Sequence, residues 1–282
     1  MKNYLSLIKF SHTIFALPFA LTGFFIALSV QGSGIDWLKL LLVVLCMVFA
    51  RSAAMAFNRY LDRDVDAVNP RTKIREIPAG LISARSALLF VMANCVLFVI
   101  ATWFLNTLCF FLSPVALAVV LGYSYTKRFT WLCHVVLGLG LSLAPIGAYL
   151  AVMGRFDWIP VLYSLAVLLW VAGFDVIYAL QDEEYDRSNQ LYSIPSFFGK
   201  KQALRMSEWM HLGTALLMVT AAKELLATVP HTGWLLWIGT GIFLGLLLYQ
   251  HLIVKADDLS RVNLAFFTTN GIASLLFGIL AL

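Results

Sequence analysis

Residues 86–122 read SALLFVMANCVLFVIATWFLNTLCFFLSPVALAVVLG, from Ser86 to Gly122, without one charged side chain. A helix crossing roughly 30 Å of hydrocarbon needs about 20 apolar residues, and backbone left without internal hydrogen bonds is not tolerated against lipid. The stretch is too long for one crossing, and Asn106 near its middle is the natural turn. It therefore predicts two spans, over 86–105 and 107–122.

The same criterion applied outward predicts spans over 13–30, 38–60, 131–153, 159–180, 207–222, 232–254 and 262–281, nine in all. Lys223 and Glu224 cut the seventh short. Composition agrees. Of 282 residues, 61% are hydrophobic and 12% charged, with mean hydropathy +0.86, whereas soluble domains run near 45–50% apolar and about 25% charged. So few charges cannot cover a globule of this size, and the surrounding solvent must be largely lipid. With no Pro/Ser linker and no low-complexity stretch, residues 1–282 read as one all-α, multi-pass membrane domain. The first apolar stretch follows Lys2 and Lys9 in the manner of a signal peptide, but the many spans behind it make it an uncleaved first crossing. Cys46, Cys95, Cys109 and Cys133 lie in apolar runs without C-x-x-C spacing, where a thiol behaves as a small hydrophobe.

Basic residues favour cytoplasmic segments, and they test both the count and the orientation. With the N-terminus inside, sixteen fall on inner segments: Lys2, Lys9, Arg59, Arg63, Arg71, Lys73, Arg75, Arg85, Lys127, Arg128, Arg187, Lys200, Lys201, Arg205, Lys255 and Arg261. Three (Lys39, Arg155 and Lys223) fall outside, and Arg51 lies within a span. A miscounted span would scramble this alternation, so it predicts an N-in, C-out chain. Topology and anionic lipid then account for the net charge of +5 without invoking nucleic acid.

Two acidic helix ends emerge on that inner side. The second span ends in Asn58-Arg59-Tyr60-Leu61-Asp62-Arg63-Asp64-Val65-Asp66. Asn58, Asp62 and Asp66 are four apart, and at about 100° per residue they share one helix face. The sixth span ends in Asp175…Asp182-Glu183-Glu184-Tyr185-Asp186, where Asp182 and Asp186 repeat the spacing. Like charges at i, i+4 repel by a few tenths of a kcal/mol, which a shared cation would offset. Oxygen ligands without His or Cys suit Mg²⁺, which combines a few carboxylates with substrate phosphate oxygens. Directly after the first cluster, Asn69-Pro70-Arg71-Thr72-Lys73-Ile74-Arg75 supplies three basic residues, as a metal plus an anionic leaving group requires. Tyr123-Ser124-Tyr125-Thr126-Lys127-Arg128 ends the fourth span on the same side, with Tyr123 and Lys127 on one face. Arg51 lies about two turns deeper than Asn58 on the same face. A charge inside a span defaults to a functional hypothesis, here a site for an acceptor carboxylate.

Asn58-x-x-x-Asp62-x-x-x-Asp66, Tyr123-x-x-x-Lys127 and Asp182-x-x-x-Asp186, together with Arg71-Thr72-x-x-Arg75-x-x-Pro78-x-Gly80, resemble the UbiA superfamily of intramembrane aromatic prenyltransferases. The likeness extends from Phe15-Ala16-Leu17-Pro18 through Ser193-Ile194-Pro195 and Phe198-Gly199. Within the superfamily the chain looks most similar to 4-hydroxybenzoate polyprenyltransferases and to bacterial enzymes that prenylate dihydroxynaphthoate for menaquinone. The phrase Gly173-Phe174-Asp175-Val176-Ile177-Tyr178-Ala179-x-Gln181-Asp182 leans toward the latter.

The resemblance implies a helical bundle around a central cavity, open sideways to lipid and capped by cytoplasmic loops. In it, Asp62, Asp66, Asp182 and Asp186 would hold a Mg²⁺-bound polyprenyl diphosphate with help from Asn58. Arg63, Arg71, Lys73, Arg75, Lys127 and Arg128 would contact the diphosphate or an aromatic acid acceptor. Asp175 would contact substrate, and Tyr123 and Tyr178 would steady an allylic cation. Rival readings are less well matched. A secondary transporter places its site near the midplane on Gly/Pro-broken helices, and the D-G-x-x-A-R signature of a CDP-alcohol phosphotransferase is absent. Haem- or chlorophyll-directed prenyl transfer is the alternative within the superfamily.

Overall fold

The computed structural model describes residues 2–8, 17–229 and 233–281. The start of the span expected over 13–30, with Phe15-Ala16, lies outside the described residues, as does the first residue of the span expected over 232–254. Among the described residues there are thirteen α-helices and no strand.

Eight helical segments among the described residues are long and apolar enough to cross a membrane, and a shorter apolar helix, α2 (Leu17–Gln31), precedes them. A short helix α1 (Lys2–Leu7) packs by Leu7 against Ala53 and Ala56. The spans are α3 (Trp37–Leu61), α5 (Ala84–Leu105), α6 (Thr107–Thr126), α7 (Cys133–Met153), α8 (Trp158–Ala179), α11 (Lys200–Thr228) and α12 (Gly233–Ile253). A π-helical turn, Leu264–Thr269, runs into α13 (Asn270–Ala281) to form the last. Three short helices, α4 (Arg63–Val68), α9 (Glu183–Ser188) and α10 (Ile194–Phe198), lie in the two long loops.

The turn expected at Asn106 is present and has a physical cause. Asn106 is extended and its side chain accepts from the Cys109 N–H at 2.9 Å, capping α6. Its amide also donates to Leu150 O at 2.8 Å, tying the turn to α7. The span expected over 207–222 differs. It runs Lys200–Thr228, because Gly199, at φ +81°, starts it early. Lys223 and Glu224 sit on its exposed face beside buried Ala221, Ala222 and Leu225 and do not interrupt it.

Packing centres on α8. Trp170 is 1% exposed and stacks among Phe19 (5.2 Å between ring centroids), Phe174 (5.2 Å) and Phe243 (5.3 Å). Helices α3, α5 and α6 form the opposite wall of the bundle, with α7 packed between them and α8. Large apolar side chains such as Trp103 and Phe111, 64% and 70% exposed, point outward. Patches of that kind are rare on soluble monomers and ordinary against lipid.

Hydrocarbon supplies little hydrophobic drive between helices, so small residues permit close backbone approach. A Cβ on Gly138 of α7 would sit 2.3 Å from Leu168 O of α8, whereas one on Gly245 of α12 meets nothing within 4 Å. We therefore expect Gly138→Ala to destabilise the detergent-solubilised protein by about 1–3 kcal/mol, as overpacking does. Gly245→Ala should leave the thermal midpoint unchanged or raised, because alanine is the better helix former.

Candidate active site

The second span does not run straight through its acidic motif. Helix α3 stops at Leu61, Asp62 (φ −89°, ψ 4°) forms a joint, and α4 resumes at Arg63. The Asp66 N–H still donates to Asp62 O at 2.7 Å, which preserves much of the helical register, and Asn58 Nδ2 donates to Asp62 Oδ2 at 3.2 Å. The other motif is built similarly, with a 3₁₀ turn (Leu180–Asp182) leading from α8 into α9.

The two ends meet. Arg71, after the first motif, bonds Asp182 of the second at 2.6 Å and the Tyr178 hydroxyl at 3.1 Å. Arg128 bonds Asp62 at 3.1 Å, Arg75 bonds both oxygens of Asp66 at 2.7 Å, and Lys127 pairs with Asp186 at 2.7 Å. The Tyr185 hydroxyl of α9 donates to Val65 O of α4 at 2.9 Å. Each motif carboxylate thus faces one cation. Asp66 and Asp186 are 5% and 1% exposed, which an unpaired charge would not tolerate.

Burial pushes the Asp62 carboxyl above the usual aspartate range, with Arg128 pulling it back only in part. For Lys127 burial acts downward, yet the Asp186 carboxylate outweighs it and holds the ammonium above its usual value. Asp182 does the same for Arg71.

These groups rim a cavity of about 980 Å³. Below the rim it becomes an apolar shaft. On α6 the stripe Tyr123, Val119, Ala116, Leu112 and Cys109 lines it over fourteen residues, about 20 Å at ~1.5 Å per residue. Several buried donors on the lining have no hydrogen-bond partner among the described residues: Arg51 Nε, Arg59 Nε and Nη1, and Arg128 Nη1. Unsatisfied buried donors are costly, and an anionic ligand would satisfy them.

The carboxylate set is all oxygen, and among the described residues no three His, Cys, Asp or Glu side chains converge as a metal cage. It fits a hard cation that shares one or two carboxylates with a ligand's phosphate oxygens.

Of the site residues expected from sequence, the structure brings all but Arg63 and Lys73 to the cavity wall. Arg63 opens α4 about 100° around from the face that Asp62 presents, and is not on the cavity wall. It bonds Tyr60 O at 2.8 Å, stacks on the Tyr60 ring and lies 3.5 Å from Asp64. Lys73 is exposed in the loop. Tyr178 stacks on Phe266 at 4.1 Å between centroids, beneath Arg71.

Two residues went unnoticed in the sequence. Arg59 had been counted only as a basic residue of the inner loop. His134, at the start of α7, pairs with Asp175, 41 residues away, at 2.7 Å, and no local pattern announces that contact.

The sequence profile of the UbiA prenyltransferase family matches residues 16–272. A 4-hydroxybenzoate octaprenyltransferase of Tolumonas auensis is 32% identical over 252 residues, covering 89% of this chain and 86% of that protein. The apo structure of a UbiA homologue from Aeropyrum pernix K1 superposes with a TM-score of 0.81 at 31% identity, over 96% of this chain and 95% of the other. A UbiA homologue from Archaeoglobus fulgidus, bound to GPP and Mg²⁺, shares the fold with a TM-score of 0.77 at 21% identity, over 99% and 98%.

The ion pairs make a stability prediction independent of activity. Lys127→Met removes the partner of buried Asp186 and should lower the thermal midpoint. Lys127→Met combined with Asp186→Asn should recover most of that loss, because the cost lies in the uncompensated charge. A thermal-shift series on the two variants checks this.

Proposed function

We propose that this chain, which belongs to the UbiA prenyltransferase family, transfers a polyprenyl group from its diphosphate to a ring carbon of a hydroxyaryl carboxylate in quinone biosynthesis. 4-Hydroxybenzoate and a dihydroxynaphthoate are the acceptors that fit. The reading is carried by one arrangement: four ion-paired carboxylates at the mouth of an apolar shaft, with Arg51 on the shaft wall, its buried Nε left without a partner. The naming of the Tolumonas relative for octaprenyl transfer to 4-hydroxybenzoate, and the GPP and Mg²⁺ held by the Archaeoglobus neighbour, support it. The distribution of basic residues supports a cytoplasmic mouth, with the N-terminus on that side.

Asp62, Asp66, Asp182 and Asp186, with Asn58 beside them, would hold Mg²⁺ together with the diphosphate. Bound there, the ion would neutralise charge developing on the leaving group. Arg71, Arg75, Lys127 and Arg128 already stand within bonding distance of these carboxylates. A short swing lets them bond the diphosphate oxygens as those oxygens take up charge, which is electrostatic stabilisation in a shielded site. The electron pair of the allylic C–O bond leaves with the diphosphate, and the prenyl tail lies in the shaft below Tyr123. The rings of Tyr123 and Tyr178 on the cavity wall steady the allylic cation by cation–π attraction. Arg51 takes the acceptor carboxylate and turns the ring toward that cation.

Membranes containing the protein, given Mg²⁺, a polyprenyl diphosphate and either acceptor, should yield a prenylated product by mass, and chelation of the ion should abolish it. Asp66→Asn and Asp182→Asn should each cut turnover by about 10²–10³-fold, the scale of losing one preorganised electrostatic group. Arg51→Met should raise the acceptor KM by about ten- to a hundredfold, the value of a charged hydrogen bond, leaving the prenyl diphosphate KM unchanged. No product from either acceptor would overturn the acceptor assignment, and full activity in either aspartate variant would overturn the metal assignment.

A further inference from the structure

Asp175 stands apart from the ion-paired mouth. It lies seven residues before Asp182, about 10 Å deeper along α8 at ~1.5 Å per residue, just as Arg51 lies seven residues before Asn58 on α3. Both line the cavity, as does Tyr123.

His134 fixes how Asp175 is presented. Its Nδ1 is 2.7 Å from Asp175 Oδ2, and its Nε2 is 3.2 Å from the backbone nitrogen of Ile194. The Ile194 N–H can only donate, so Nε2 accepts, and the ring carries its proton on Nδ1, donated to Asp175. The histidine is 3% exposed, and Ile194 is fully buried at the start of α10. One carboxylate oxygen is therefore anchored through an imidazole to the loop that follows the second acidic motif. The other, Oδ1, takes no hydrogen bond from any described residue, and the side chain keeps 22% exposure on the cavity. That oxygen faces the cavity and is free to accept a hydrogen bond from a ligand. It presents an acceptor to a ligand in the same cavity into which Arg51 brings donors.

We propose that Asp175 receives the hydroxyl of the aromatic acceptor and takes its proton as the ring attacks, and that His134 is the positioning residue that aims it. The proposal rests on the hydroxyaryl carboxylate reading above and says which atoms at the far end of that acceptor are held. As the hydroxyl O–H bond breaks, its proton goes to Asp175 Oδ1 and the oxygen's electron pair moves into the ring. The ring carbon beside that oxygen forms a bond to the prenyl carbon, whose bond to diphosphate oxygen breaks with the pair leaving on diphosphate. The resulting dienone then loses its ring proton to water, and Asp175 returns its own proton to the oxygen, restoring the aromatic phenol. The net products are the prenylated acceptor, diphosphate and one proton.

The test uses the purified full-length protein in lipid nanodiscs with Mg²⁺, geranyl diphosphate and 4-hydroxybenzoate. Asp175→Asn keeps the side-chain volume and still accepts from His134 Nδ1. Its turnover at neutral pH should fall by about 10²–10⁴-fold, the range for losing a general base, with the geranyl diphosphate KM unchanged. The deficit should shrink as pH rises and the phenol ionises in solution, which a structural role would not produce. His134→Gln should show a smaller loss, in turnover and not in the geranyl diphosphate KM, with the same alkaline recovery. Calorimetric binding of geranyl diphosphate with Mg²⁺ should be retained in both variants and reports a folded diphosphate site. Wild-type turnover in Asp175→Asn overturns the proposal. So does a deficit that is equal at every pH, or one accompanied by loss of geranyl diphosphate binding. A wild-type protein that prenylates neither 4-hydroxybenzoate nor a dihydroxynaphthoate overturns the acceptor reading itself, a result separable from any variant's behaviour.

Discussion

Charge at the edge of hydrocarbon has to be neutralised, and the site is organised around that requirement. Asp62, Asp66, Asp182 and Asp186 sit where helices leave the apolar bundle, and each faces a basic side chain at 2.6–3.1 Å. Removing one partner of such a pair leaves a buried charge, which is far more costly than the pair itself is stabilising. The pairs therefore act mainly as joints. Arg71 ties the loop after α3 to the end of α8, Arg128 ties the end of α6 to the end of α3, and Lys127 ties that same end to α9. The same cations stand ready to bond a diphosphate once carboxylates turn to a metal, so the contacts that close the bundle are also those that would receive the substrate.

Away from this end, apolar packing decides the architecture. Close approach at Gly138 seats α7 on α8, and the aromatic cluster around Trp170 fills the half of the bundle formed by α2, α8, α12 and α13. Asn270 gathers two of the polar groups buried within that half, while Tyr163, Ser164 and Gln250 Oε1 there are left without a partner among the described residues. Trp170 Nε1 donates to Asn270 Oδ1 at 2.9 Å, and Gln250 Nε2 donates to the same oxygen at 2.7 Å. Helices α3, α5 and α6 stand off from α8, with α7 between, and leave the shaft, whose lining carries the unsatisfied donors Arg51 and Arg59. The filled half supplies rigidity, and the open half supplies the ligand space.

Individual residues show why some of this was legible beforehand. Asn106 was readable as a turn because an uncharged run must break somewhere, and an asparagine both caps the new helix and bonds the neighbouring one. Lys223 and Glu224 misled because charge along the chain was taken to end a span, whereas a helix keeps such residues on one face and stays intact. Arg63 misled because the family resemblance names it as a contact, whereas one residue past Asp62 it lies about 100° around the helix from the shared acidic face and bonds Tyr60 O instead. His134 could not be found at all, because its meaning lies in Asp175 and Ile194, 41 and 60 residues distant.

What the sequence determined by itself follows from periodicity and solvent. Apolar runs of spanning length, broken at polar turns, require a multi-pass helical bundle, because lipid accepts no other backbone arrangement for them. Carboxylates spaced by four at two helix ends mark the diphosphate half of the site for the same local reason. Only the tertiary structure decided which cation meets which carboxylate, which basic residues face away, and which deep side chains are aimed into the cavity. Those outcomes depend on contacts between helices tens of residues apart, whose partners are chosen by packing and by the cost of leaving a buried charge alone, and neither is written in any one stretch of chain.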